Sequence, residues 1–164
     1  MNAEREALLA EAQALSEAEA SRALPDAKGE AQWSPKQQLA HLAEMETAYR
    51  AWVEKALAED DPDVSGIRGE RPTIGLREAQ DHEVLALVAQ LRDQRAKTIA
   101  LIESLTPRQF ERTASQAMFG RLTVMQWLRS YYRHDRMHYD QVRGVETEYR
   151  PRYAGGKEPD QRRG

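Results

Sequence analysis

The chain has 164 residues, with 24 Lys and Arg against 27 Asp and Glu, and it contains no cysteine. A net charge of −3 argues against a general nucleic-acid-binding protein, and the lack of cysteine excludes thiolate metal sites, redox motifs and cysteine nucleophiles. No apolar run approaches the roughly 18 residues of a membrane span, and the N-terminus is too acidic for a signal peptide, so we expect one cytoplasmic domain.

Four segments carry apolar residues at the spacing of an amphipathic helix. They cover residues 2–24, 35–59, 76–105 and 124–145. Ser34 with Gln37, and Thr123 with Gln126, form the capping pattern that begins the second and the fourth segment. The same pattern at residues 106–109 predicts one short helical turn in the last connection.

The remaining sequence favours connections rather than further elements. No segment shows a convincing β-alternation, and the loop at residues 61–75 has no clear period. Long helices with short or medium connections predict an all-α four-helix bundle, which we assign to residues 1–149. Residues 150–164 (RPRYAGGKEPDQRRG) have almost nothing apolar, and they predict a flexible C-terminal extension without a core of its own.

Three of the four histidines are predicted to face the bundle interior. His134 and His138 lie one turn apart on the same arc of the last helix as Trp127 and other apolar residues. His41 shares an arc with the apolar residues of the second helix. His82 lies opposite the apolar stripe of the third helix, so we expect it at the surface.

Inward-facing histidines need partners, because an unpaired buried imidazole is costly. Histidines at positions i and i+4 stand one above the other on a helix, so both can bind one divalent ion. We therefore predict a site for Zn²⁺ or Ni²⁺ that is formed by His41, His134 and His138. The alternative is that these are core histidines satisfied by ordinary hydrogen bonds.

Five further residues are candidates for roles near these histidines. Glu44 and Asp135 can each orient an imidazole through its second ring nitrogen, unless they are simply surface carboxylates. Tyr131 and Gln141 lie on the ligand face and can bind substrate, although Tyr131 also suits the core. Arg95 lies on the apolar stripe of the third helix, where a charge needs a partner. It can pair with Glu44 or Asp135, or present its cation to an anionic substrate. Alternatively, it can extend along the apolar face so that its charged end reaches solvent.

Two sequence blocks carry a family resemblance. The first is Trp33-Ser34-Pro35 followed by residues 38–44 (QLAHLAE), and the second is residues 120–127 (GRLTVMQW) followed by residues 134–141 (HDRMHYDQ). Over about residues 25–145 these blocks resemble the DinB-like superfamily of small bacterial four-helix bundles. The resemblance implies that His41, His134 and His138 bind a divalent metal, most often zinc or nickel.

The same resemblance leaves the reaction open. Some members of the superfamily are metal-dependent transferases or isomerases that use bacillithiol, mycothiol or glutathione, while others are damage-induced proteins without an assigned reaction. We expect a transferase that joins a low-molecular-weight thiol to a small electrophile. The alternatives are a metal-dependent hydrolase and a non-catalytic metal-binding protein of the stress response.

The expected partners follow from the charge pattern and the resemblance. Acidic residues interrupt the arginine stripe on the outer face of the last helix, so we expect a small-molecule substrate and neither a nucleic acid nor a membrane. The resemblance alone implies a homodimer.

Overall fold

The computed structural model describes residues 2–23, 29–151 and 160–162. Within them lie the helices α1 (Asn2–Ala14), α2 (Glu17–Ala20), α3 (Pro35–Ala58), α4 (Val84–Ser104) and α5 (Val124–Val142). The strands are β1 (Thr113–Gln116), β2 (Gly120–Thr123), β3 (Tyr149–Pro151) and β4 (Asp160–Arg162). Short 3₁₀ turns occupy Gly29–Gln32, Ala79–Asp81 and Pro107–Glu111.

The four long helices form the predicted bundle. Helix α1 packs on α4 and α5, and α3 packs on the same two helices, so each long helix has two neighbours. One apolar cluster fills the space among α1, α3 and α4 and includes Leu9, Leu39 and Leu91. A second joins α3, α5 and the β1–β2 hairpin around Trp52 and Trp127. None of the described helices is long and apolar enough to cross a membrane.

The predicted capping boxes are present and set where the ligand-bearing helices begin. The Ser34 hydroxyl accepts the Gln37 N–H, and the Gln37 side chain accepts the Ser34 N–H in return. Thr123 and Gln126 make the same reciprocal pair at the start of α5. Each box satisfies backbone donors that the first turn of a helix leaves without partners.

Two predicted helix boundaries are wrong. The first helix ends at Ala14, because Ser16 forms a capping box with Glu19 that begins the separate helix α2. Helix α4 begins at Val84 and not near residue 76, since the segment before it folds into turns. The Val84 N–H is bound by the Glu17 carboxylate, 2.9 Å away, so a side chain of α2 satisfies the start of α4.

Strands were not predicted, and the described residues contain two short antiparallel pairs. Strands β1 and β2 form an antiparallel hairpin whose four-residue strands are too short to show a period in the sequence. Strand β3 pairs with β4, and apart from Tyr149 both strands lie in the segment predicted as a flexible extension. The rest of that extension, residues 152–159 and 163–164, lies outside the described residues.

The connection between α3 and α4 is held against the bundle. The Trp52 indole N–H donates to the Ile67 carbonyl at 2.8 Å. Gly69 adopts a φ of +70° beside the backbone of α3, where a Cβ would lie 2.3 Å from the Thr47 carbonyl oxygen. Only glycine fits so close an approach in that conformation, and the connection thereby becomes a fixed wall beside α3.

Candidate metal centre

Three elements bring four side chains together at one place. Helix α3 contributes His41, and α5 contributes His134 and His138 from successive turns. The 3₁₀ turn that precedes α3 contributes Glu30. One possible ligand atom from each of these residues lies within 4.8 Å of every other.

The individual distances suit ligands around a single divalent ion. The Nε2 atoms of His134 and His138 are 3.0 Å apart. The Glu30 Oε2 atom lies 3.8 Å from Nε2 of His134 and 3.7 Å from Nε2 of His138. The Glu30 Oε1 atom lies 3.5 Å from Nε2 of His41. Ligands bound at about 2.0–2.2 Å from one ion are themselves roughly 3–4 Å apart, so the set fits a metal.

A nitrogen of His41 provides an independent test of that fit. Its Nε2 is buried and has no hydrogen-bond partner among the described residues. Buried polar atoms are normally satisfied, and one without a partner calls for an explanation. Because this atom points into the group formed with Glu30, a bound cation explains it.

The orientation of His138 is fixed by a chain of hydrogen bonds that the sequence analysis missed. The Gln38 Nε2 donates to the Trp33 carbonyl at 3.1 Å, which turns the Gln38 Oε1 toward His138. The Nδ1–H of His138 donates to that oxygen at 3.2 Å. The Nε2 of His138 then carries the lone pair, as a metal ligand requires.

Burial favours the neutral, metal-binding form of His41 and His138. It lowers the pKa of His41 to about 4, and the neighbouring His134 acts in the same direction. The pKa of His138 lies well below its ordinary value, first because of burial and then because of His134 and His41. Burial acts to raise the pKa of Glu30, but the hydrogen bond with His134 and the electrostatic interactions with His41 and His134 outweigh it, so this pKa is lowered.

The group opens into a pocket of about 820 Å³. His41, His134 and Glu30 line the pocket, while His138 is fully buried behind them. Apolar side chains form much of the remaining wall, among them Met45, Tyr49, Trp52, Ile67, Phe119 and Met137. A small molecule with an apolar part can therefore reach the ligand face of the histidines.

The two predicted carboxylates bind groups other than an imidazole. The Glu44 Oε1 accepts the backbone N–H of Leu76 at 2.8 Å, and Glu44 also lines the pocket. Asp135 is fully buried, and its two oxygens accept from Arg5 and Arg95. Glu44 therefore holds the connection before α4, and Asp135 joins α5 to two other helices.

Arg95 forms one of its predicted pairs and one that was not foreseen. Its guanidinium donates to Asp135 at 2.7 Å and to Glu46 at 2.7 Å. Arg5 donates to the same two carboxylates, so a closed and buried group results, which we call the central charge ring. Its members are Arg5, Glu46, Arg95 and Asp135.

His82, Tyr131 and Gln141 all lie outside the four-residue group. His82 is exposed, as predicted. Tyr131 is almost fully buried, with its ring edge-on to Tyr49 at 4.8 Å, and it does not line the pocket. The Tyr131 hydroxyl is buried and has no hydrogen-bond partner in the described part of the chain. The Gln141 side chain interacts with the His138 ring and acts to raise its pKa.

Sequence reasoning missed Glu30 and Gln38. Glu30 lies in a 3₁₀ turn with no helical period to give its direction, and only its nearness to the start of α3 hints at a role. Gln38 was open to prediction, because it precedes His41 by three positions and shares the inward side of α3.

Comparison with known proteins places the fold within a family. The family model of the DinB superfamily matches residues 1–142. The solved structure of YfiT from Bacillus subtilis, described as a probable metal-dependent hydrolase with an unusual four-helix bundle topology, is similar with a TM-score of 0.69. The two chains are 19% identical, and the match covers 86% of this chain and 78% of YfiT. No curated protein sequence matches significantly. The chain belongs to the DinB superfamily.

Proposed function

We propose that this protein is a metal-dependent hydrolase of a small molecule with an apolar part. The observation that carries the proposal is the convergence of three imidazoles and one carboxylate at the edge of an 820 Å³ pocket. His41, His134 and His138 would hold the ion, and the Glu30 carboxylate would lie beside it without being a ligand. A bound Zn²⁺ or Ni²⁺ supplies a positive charge that lowers the pKa of a coordinated nucleophile and polarises an electrophile.

Side chains of this protein provide the proton acceptor, the orientation of a ligand and the substrate-binding wall. Glu30 has an ionised carboxylate beside the imidazoles, so it can accept the proton that the nucleophile loses. Gln38 keeps His138 in the tautomer that leaves Nε2 free. The apolar wall around Trp52 and Phe119 binds the apolar part of the substrate and excludes water from it.

Two considerations favour water as the nucleophile. Water needs no second organic substrate and only an acceptor for its proton, which Glu30 provides at the site. YfiT, which shares the fold, is described as a probable metal-dependent hydrolase.

Transfer of a low-molecular-weight thiol is the second candidate. The chain has no cysteine, so a thiol nucleophile would have to be a second substrate. The pocket volume of about 820 Å³ supports this candidate, because it lies near the upper end of the roughly 300–1,000 Å³ typical of ligand pockets and leaves room for two small molecules. Glu30 would accept the S–H proton as it would that of water.

One assay separates the candidates. The protein is stripped with a chelator, reloaded with Zn²⁺ or Ni²⁺, and incubated with apolar esters and amides, and separately with small electrophiles and a thiol such as glutathione. Cleavage without thiol supports the hydrolase, and thiol consumption that depends on the electrophile supports the transferase. Metal binding with neither reaction would contradict both and favour a non-catalytic metal-binding protein.

A matched pair of variants ties any activity to the site. Glu30→Gln removes the proton acceptor and is expected to lower turnover by about 10²-fold or more. Glu70→Gln removes another pocket carboxylate that is no part of the four-residue group, and it should leave turnover nearly unchanged. Equal activity in the two variants would refute the role given to Glu30.

A further inference from the structure

The central charge ring takes one residue from each long helix of the bundle. Arg5 belongs to α1, Glu46 to α3, Arg95 to α4 and Asp135 to α5. All four side chains are buried, with at most 4% of any residue exposed. The ring is therefore placed where a change in the position of any one helix must stretch an ion pair.

The hydrogen bonds of the ring are short and shared. Arg5 Nη2 lies 2.6 Å from Asp135 Oδ1 and 2.7 Å from Glu46 Oε2. Arg95 donates from Nε to Glu46 Oε1 and from Nη2 to Asp135 Oδ2, both at 2.7 Å. Each guanidinium thus bridges the same two carboxylates, and the fork of an arginine fixes direction as well as distance.

The two bridged carboxylates belong to the two helices that carry the histidines. Asp135 is the residue next to His134 on α5, and Glu46 follows His41 by five residues on α3, about 7.5 Å of helix rise. Two buried carboxylates repel each other when nothing lies between them. Arg5 and Arg95 convert that repulsion into a fixed spacing between the helices of His41 and His134.

We propose that the central charge ring is the positioning device of the metal centre. It holds α3 and α5 at the separation and rotation that bring the three imidazoles together. Arg5 is then a positioning residue on a helix that supplies no candidate ligand. This inference rests on the proposed metal centre and adds to it a group of residues that do not touch the ion.

Arg5→Met tests the proposal, with Arg50→Met as its matched control. Arg50 is also a buried arginine, and its hydrogen bonds among the described residues go to Gln94 and Thr98 of α4. Two properties are measured for each variant. The first is Zn²⁺ affinity by competition with a chromophoric chelator, and the second is the visible spectrum of the Co²⁺-loaded protein, which reports ligand geometry. Circular dichroism confirms that each variant is folded.

We expect Arg5→Met to lower Zn²⁺ affinity by about tenfold or more and to change the Co²⁺ spectrum. Arg50→Met should lower stability while leaving both metal readouts close to those of the parent. If Arg5→Met does not fold, Arg5→Lys takes its place. That variant keeps the charge without the fork, and a loss of about threefold or more is expected.

The outcomes distinguish this inference from the proposed function. Equal effects of the Arg5 and Arg50 variants on affinity and spectrum, in a parent that binds Zn²⁺, would overturn the positioning role alone. A parent that does not bind Zn²⁺ would overturn the metal centre and the positioning role together.

Discussion

The hydrogen bond from His138 to Gln38 predicts a large effect of a substitution at Gln38. Gln38→Met keeps the length of the side chain but removes the oxygen that accepts the His138 Nδ1–H at 3.2 Å. His138 is fully buried, so water cannot replace that acceptor. The imidazole is then free to turn or to change tautomer, and its Nε2 is no longer held as a ligand.

The expected loss of metal affinity can be taken from substitutions of similar groups in other metal sites. Removing a group that orients a metal-binding histidine typically weakens metal binding by about 10–100-fold, or roughly 1.4–2.7 kcal/mol. The buried donor left without an acceptor also costs about 1–3 kcal/mol of stability. We therefore expect Gln38→Met to bind Zn²⁺ at least about tenfold more weakly than the parent.

Competition between the protein and a chromophoric chelator at pH 7.5 measures this affinity. Gln94→Met is the control, because Gln94 is another buried glutamine whose side chain binds Arg50 outside the metal centre. The control should lose stability and keep its affinity. A Gln38→Met variant with an affinity within twofold of the parent would refute the role given to this hydrogen bond.

Three further predictions test separate parts of the structure. In the metal-free folded protein the pKa of His41 is about 4, whereas in the unfolded chain it is near 6.5. Between these two pH values the unfolded state binds more protons than the folded state, so the free energy of unfolding decreases as the pH falls. Urea unfolding in the presence of a chelator should therefore give a free energy of unfolding that His41 makes about 2 kcal/mol lower at pH 5 than at pH 7. A free energy of unfolding that does not change between these pH values would contradict this. Gly69→Ala should lower the free energy of unfolding by roughly 2 kcal/mol, whereas Gly66→Ala, whose added Cβ meets nothing within 4 Å, should not; equal effects would count against the fixed wall. Tyr131→Phe removes a buried hydroxyl without a partner in the described chain, so stability should stay the same or rise by about 1 kcal/mol, and a clear loss would show that the hydroxyl is bonded.

The bundle could be predicted from local signals. Helical period and the capping residues Ser34 and Thr123 gave the starts of α3 and α5, and the inward arcs gave the directions of His41, His134 and His138. These features depend on residues close to one another in the chain. Such features lie within reach of a single sequence, although the equally local capping box of Ser16 and Glu19 was missed.

Features that depend on distant residues were missed. The start of α4 is set by Glu17 of another helix, and the short strand β1 is stabilised by pairing rather than by its own pattern. Arg5 was not singled out, because its partners Glu46 and Asp135 are 41 and 130 residues away in the sequence. The thiol substrate and the homodimer stay predictions, since each depends on a second molecule.

Metal content tests the central claim most directly. Protein purified without an affinity tag is compared with His138→Ala and with His82→Ala, which removes an exposed histidine outside the group. We predict about one zinc or nickel ion per chain in the parent and in His82→Ala, and almost none in His138→Ala. A parent without metal even after reconstitution, or a His138→Ala variant with the same metal content, would contradict the metal centre and leave only the bundle.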